Sequence, residues 1–185
     1  MEMKSWLKAA LLVTLAPGLA QAEVRGLYGT NCLEGNGASA IKDLLLRGQT
    51  METVQTVYSD LHCESPSYDF SFSGPFEYNV VSGFFDYEYA SIKLQVLDQN
   101  VVQQFNEAEL CGIKDWTIGA PREVSGLDCG GQLIPSIGTK AYDLIHENVS
   151  ESDPSIQLGL ISELQDGLSS DARPTKTEDL IYYPK

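Results

Sequence analysis

The sequence predicts a mainly β protein, an antiparallel barrel or sandwich with one amphipathic helix, held by two disulfides. Three observations carry that prediction. The 185 residues include 16 glycines and eight prolines, which fall between short periodic segments and so separate strands rather than helices. The stretch Tyr68-Asp69-Phe70-Ser71-Phe72-Ser73 alternates aromatics with small or charged residues, the period-two pattern of a half-buried strand. The four cysteines are even in number and follow a segment that reads as an export signal, which leads to a compartment where disulfides persist.

That segment is Met1 to Ala22. It has a basic start with Lys4 and Lys8, an apolar run from Ala9 to Leu19, and small residues at Ala20 and Ala22, the three parts of a cleavable signal peptide. The apolar run is 11 residues long and contains Pro17 and Gly18, whereas spanning a bilayer takes about 20 residues. Residues 23 to 185 then form one domain of ordinary size, expected as a secreted or periplasmic monomer with no transmembrane segment.

Taken in order, Arg25 to Cys32, Ala40 to Leu46 and Met51 to Ser59 read as strands. Tyr68 to Ser73 and Phe76 to Val80 read as two strands joined by a tight turn at Ser73-Gly74-Pro75, with the rings of Tyr68, Phe70 and Phe72 on one face. Tyr87 to Val96 places Tyr87 and Tyr89 on one parity and Ile92, Leu94 and Val96 on the other, so a bulge or bend is expected near Ala90. Leu97, Val101, Val102, Phe105 and Ala108 recur at helical spacing, with Asp98 or Asn100 as cap and Gly112 as stop. Trp116 to Val124, Lys140 to Asn148, Ile156 to Glu163 and Glu178 to Tyr183 complete about eight or nine strands, the signature of an all-β sandwich or barrel.

Of the three possible pairings of the cysteines, Cys32 with Cys63 and Cys111 with Cys129 are favoured, because each half of the chain then closes on itself. A zinc site is disfavoured, since there is no C-x-x-C pair and only two histidines, His62 and His146. Net charge is −14 over the whole sequence. Without Glu2, Lys4 and Lys8 of the signal, 10 basic and 25 acidic residues give −15, a field that repels nucleic acid and anionic membranes.

No G-x-S-x-G elbow or other recognisable nucleophile and base accompanies either histidine. His146 alternates with Tyr142 and Leu144 and is expected to point inward. Asp166 to Asp171 lacks the ligands of a calcium loop, and Asn148-Val149-Ser150 fits a glycan sequon. The distinctive feature is aromatic. Tyr68, Phe70, Phe72, Phe76, Tyr78, Phe84, Phe85, Tyr87 and Tyr89 fall within 22 residues, and such rings inside a small barrel either fill it or line a pocket.

The segment Gly26-Leu27-Tyr28-Gly29-Thr30-Asn31-Cys32 resembles the G-x-W entry strand of lipocalin-like (calycin) barrels. Tyr58-Ser59-Asp60-Leu61-His62-Cys63-Glu64-Ser65-Pro66-Ser67-Tyr68, followed by an alternating strand and Gly74, resembles the lipocalin-like domain of the adenomatosis polyposis coli down-regulated family. Asp86-Tyr87, Cys111-Gly112, Trp116, Tyr142-Asp143-Leu144, Arg173-Pro174-Thr175 and Ile181-Tyr182-Tyr183 follow in the same order. The resemblance covers most of residues 23 to 185. It implies a β-barrel able to hold something apolar. Family members in animals are membrane-tethered antagonists of Wnt signalling, but the single barrel-sized unit read here, without an anchor, does not extend the resemblance to Wnt inhibition.

The expected function is therefore that of an exported, non-enzymatic binding protein with a barrel cavity for a lipid or other small apolar ligand. Tyr68, Phe70, Phe72, Tyr78, Tyr87 and Tyr89 are the expected lining residues, with Tyr142 and His146 as polar handles, and no metal or cofactor is called for. The alternative is a packed barrel that meets a protein partner at the cell surface. An exported hydrolase or isomerase using His146 ranks last.

Overall fold

The most regular alternating segment of the sequence lies within the longest strand. The structure, a computed structural model, describes residues 25–150 and 154–185, so the export signal lies outside the described residues. The strands are β1 (Gly26–Gly29), β2 (Leu33–Glu34), β3 (Ser39–Arg47), β4 (Thr50–Tyr58), β5 (Pro66–Asn79), β6 (Phe84–Glu88) and β7 (Ser91–Val96). Helix α1 (Gln99–Glu107) follows, then β8 (Arg122–Glu123), β9 (Lys140–Asn148), β10 (Ser155–Leu158) and β11 (Tyr183–Pro184). Neighbours pair in the order β10-β9-β6-β5-β4-β3-β1-β11. Tyr182, beside β11, exchanges both backbone hydrogen bonds with Ile156 of β10, and that bridge curls the sheet into a nearly closed antiparallel barrel.

The expected turn at Ser73-Gly74-Pro75 does not form. β5 runs through it because its pairing with β4 continues, Gly74 opposite Met51 and Pro75 opposite Thr50. Only the other edge changes partner. Tyr68 to Ser73 pair with β7, and Phe76 to Asn79 pair with β6. A Cβ on Gly74 would collide with the carbonyl of Glu88, so only glycine lets the end of β6 cross this close. β6 stops at Glu88 and β7 starts at Ser91, which is the break expected near Ala90.

The strand expected over Trp116 to Val124 shrinks to Arg122–Glu123. The backbone of Trp116 is occupied instead by the Asn106 side chain, which donates to its carbonyl at 3.0 Å and accepts from its N–H at 2.8 Å. The strands expected at Ile156 to Glu163 and Glu178 to Tyr183 are likewise short, and Gly159, pressed against Asp143 and Pro174, marks where β10 ends. The helix forms where its spacing predicts, and Asp98 caps it by accepting from the N–H groups of Asn100 and Val101.

Both disulfides are those favoured from sequence, Cys32–Cys63 and Cys111–Cys129. The core has two lobes. In the barrel, Leu44, Leu46, Met51, Phe85, Ile145, Ile156 and Tyr182 are buried together. Under α1, Ile92, Leu94, Val96, Val102, Trp116 and Val124 form a second cluster that Tyr68 and Phe105 join. Phe72 packs against both.

Outside the barrel, the segment after the 3₁₀ turn Ser170–Ala172 straps across β6 and β9. Arg173, 8% exposed, pairs there with Asp86 and donates to the Asp143 carbonyl at 2.6 Å. Its guanidinium stands 4.1 Å from the centroid of the Phe84 ring, so charge, hydrogen bonds and ring face are satisfied together.

Two substitutions test this frame by denaturant titration. Gly74→Ala is expected to cost roughly 1–3 kcal/mol of folding stability through steric overlap. Arg173→Ala is expected to cost about 3–5 kcal/mol, because it leaves Asp86 without its partner at a partly buried site. Unchanged midpoints would contradict both accounts.

Candidate functional site

Strand alternation sends one parity of β3, β4, β5, β6 and β9 into the barrel. Leu44 of β3, Thr53 and Gln55 of β4, Phe70 and Phe72 of β5 and Asp143 of β9 line an internal cavity of about 230 Å³, completed by Lys42, Leu158, Ile161, Glu178 and Tyr182. Ile161 is 56% exposed, so the cavity reaches solvent on that side. Phe70, Phe72, Leu44 and Leu158 give it apolar lining, with Thr53 and Gln55 paired beside Phe72 and Phe70, and Asp143, Glu178 and Tyr182 add a second, acidic group of side chains.

The acidic group is completed by the C-terminal segment. Glu178 donates its backbone N–H to the Leu158 carbonyl at 2.9 Å, which carries its side chain to the barrel end. Tyr182 is held by its bridge to Ile156 and is only 4% exposed. Among the described residues its hydroxyl has no hydrogen-bond partner, so it is free to meet a molecule in the cavity. The Asp143 Oδ1 accepts from Gly159 N–H at 3.0 Å and Leu144 N–H at 2.7 Å, which leaves Oδ2 unpaired among the described residues.

Burial dominates the electrostatics. It pushes the Asp143 carboxyl up to about 6, the two backbone donors and Arg173 opposing it and the charge of Glu178 adding to it. Burial also raises Glu178, with Lys42 pulling the other way. The phenol of Tyr182 is raised by burial and then by Glu178 and Asp143. Tyr87 and Tyr89, whose hydroxyls lie 3.4 Å apart, are raised by burial as well.

The residues expected to line a pocket divide into three groups. Phe70 and Phe72 line the cavity, and Tyr87 and Tyr89 stand behind Phe72 at centroid distances of 5.7 and 5.2 Å. Tyr68 belongs to the helix-side core, 5.6 Å from Phe105. Tyr78 packs against the barrel core, donates to Glu147 at 2.6 Å and, with His146, lines an open groove separate from the cavity. Tyr142 faces outward, 5.4 Å from Arg173.

His146 is exposed rather than inward-facing, because Ala141, Asp143 and Ile145 hold the inner parity of β9. Neither histidine takes part in a nucleophile–base hydrogen bond among the described residues, and no group of three or more His, Cys, Asp or Glu side chains there could hold a metal ion. No described helix is long and apolar enough to cross a membrane. Sequence reasoning missed Asp143, Glu178 and Tyr182. The one available signal was a carboxyl placed between Ala141 and Ile145, which are the small and apolar positions of that strand.

Fold and cavity together define a small, two-disulfide β-barrel with an internal pocket of mixed apolar and acidic lining. No protein-family model matches the chain, and no curated protein is significantly similar to it.

The raised Asp143 carboxyl predicts how stability depends on pH. The folded chain holds this proton more tightly than the unfolded chain, whose carboxyl has its ordinary value of 3.8. Asp143's contribution is therefore fully present below about pH 4 and is lost as pH rises through about 6. Asp143→Asn, which keeps the acceptor for Gly159, is expected to gain on the wild type by of order 1–3 kcal/mol between pH 4 and pH 7. A difference that stays constant over that range counts against a buried carboxyl at this position.

Proposed function

We propose that this chain is an exported, non-enzymatic binding protein that carries a small, largely apolar molecule in its barrel. The observation that carries the reading is the 230 Å³ cavity lined by Phe70, Phe72, Leu44 and Leu158 together with polar groups that include Asp143, Glu178 and Tyr182, the mix of apolar wall and placed polar groups from which small-molecule sites are built. Its volume lies below the roughly 300–1,000 Å³ of typical pockets, which favours a small molecule over a long-chain lipid. The separate groove near Tyr78 and His146 is open, so a ligand there would remove little apolar surface from water.

Export is supported by the signal pattern of residues 1 to 22 and by two disulfides, which suit a secreted or periplasmic protein. The likeness of the motifs to the lipocalin-like domain of the adenomatosis polyposis coli down-regulated family supports the same reading. A second reading, an interaction module acting through its surface, draws on the segment after β10, where Leu160, Ile161, Leu164 and Leu168 are all exposed.

Titration with an apolar fluorophore, followed by native mass spectrometry, tests the binding reading. Saturable one-to-one binding is expected for the wild type, weakened at least about tenfold by Gln55→Trp, whose indole would occupy the cavity. Binding that is absent, or indifferent to Gln55→Trp, overturns it. Capture of a protein partner that is lost on changing Leu164 and Leu168 to serine would favour the second reading.

A further inference from the structure

The cavity offers an incoming molecule more acceptors and more negative charge than anything else. Asp143 presents an unpaired Oδ2, and among the described residues the Glu178 carboxyl makes no hydrogen bond or ion pair. Tyr182, buried to all but 4%, aims an unpartnered hydroxyl into the same space. One cation, Lys42, lines the site, and it makes no ion pair within 4 Å among the described residues. Arg173 acts from the strap outside, where Asp86 already engages it. Apolar and aromatic side chains, Phe70, Phe72, Leu44 and Leu158, line the same cavity.

A partly buried carboxyl pair with one lysine is under-compensated, and the physical remedy is a further positive charge. A bare metal ion would leave the aromatic floor empty and finds too few ligands. A neutral apolar molecule would leave the carboxyls and the Tyr182 hydroxyl without partners while taking away the water that reaches them. We infer that the cavity takes a small primary organic ammonium, with its nitrogen among Asp143, Glu178 and Tyr182 and its carbon framework on Phe70 and Phe72. The three N–H donors of such a head match the three acceptors, and the aromatic faces are attractive to a neighbouring cation. Burial and mutual repulsion raise the Asp143 carboxyl, and the ligand's charge relieves both effects. This assignment rests on the barrel being a ligand carrier, and it specifies what that carrier selects.

Calorimetric titration of the intact disulfide-bonded chain tests it with three probes that share a phenylethyl framework, the isosteric 2-phenylethylamine and 2-phenylethanol and the slightly larger 3-phenylpropanoate. The amine is expected to bind at least about tenfold more tightly than the alcohol, and the propanoate most weakly. Asp143→Asn and Glu178→Gln should each erase most of the preference for the amine over the alcohol. Glu178, half-buried at the cavity end, is the variant more tolerant of change. Tyr182→Phe should weaken the amine alone, and lowering the pH from about 7.5 to about 5 should weaken it further as the carboxyls gain protons. Equal affinity for amine and alcohol, or binding of the fluorophore but of none of the three probes, overturns the ammonium assignment and leaves the carrier reading standing. Absence of both fluorophore and probe binding removes both.

Discussion

One constraint organises the barrel: β5 keeps a single partner along one edge and changes partner along the other. Ser73 pairs with Ser91 of β7, and three residues later Phe76 pairs with Tyr87 of β6. A continuous strand can serve both neighbours only where β6 and β7 part, and they part against Gly74, where no side chain fits. The inner face of β5 is thereby shared. Tyr68 and Phe70 turn towards the helix-side core, Phe76 towards the barrel core, and Phe72 holds the junction. Of the two tyrosines carried to this point by the break, Tyr87 stacks on Phe72 and Tyr89 meets it edge-on. The aromatic floor of the cavity is a consequence of this fork in the sheet.

The acidic group of the cavity depends on β9 being covered on both faces. Its outer residues Tyr142 and Leu144 would be an apolar liability on an exposed sheet, but the Arg173-Pro174 strap lies over that side and Arg173 takes the Asp143 carbonyl as an acceptor. The Asp143 side chain meanwhile points inward. One residue thus links strap and cavity, its backbone held from outside and its carboxyl presented inside. A buried guanidinium with both a carboxylate and a carbonyl to bind is well compensated, whereas the inward carboxyl is not. That asymmetry gives the interior its uncompensated charge.

What could be read from the sequence follows from how local each signal is. The ring alternation of Tyr68, Phe70 and Phe72, the helical spacing from Val101 to Phe105 and the parity change near Ala90 all lie within a few residues, and each corresponds to the element it predicts. Gly74-Pro75 is a strong local turn signal as well, yet continued pairing with Met51 and Thr50 overrides it. The orientation of β9 was misread for a related reason. Tyr142, Leu144 and His146 look the more apolar set, but the strap buries part of that outer face, so bulk no longer marks the inside. Glu178 and Tyr182 enter the site from an irregular segment without any period, fixed only by bridges to β10, and no pattern in sequence announces such residues.

Charge on two length scales then acts in one direction. Residues 23 to 185 carry −15, and a field of that sign raises the local concentration of cations and speeds their encounter. Salt at physiological strength confines the effect to about 8 Å from each surface charge, so it cannot by itself distinguish one cation from another. In the proposed carrier, selection falls to the interior, where Asp143 and Glu178 are partly shielded from water and a cation lacking a carbon framework gains nothing from Phe70 and Phe72. On that reading the acidic surface would bring cations to the opening, and the pairing of carboxyls with aromatic rings would decide which of them stays.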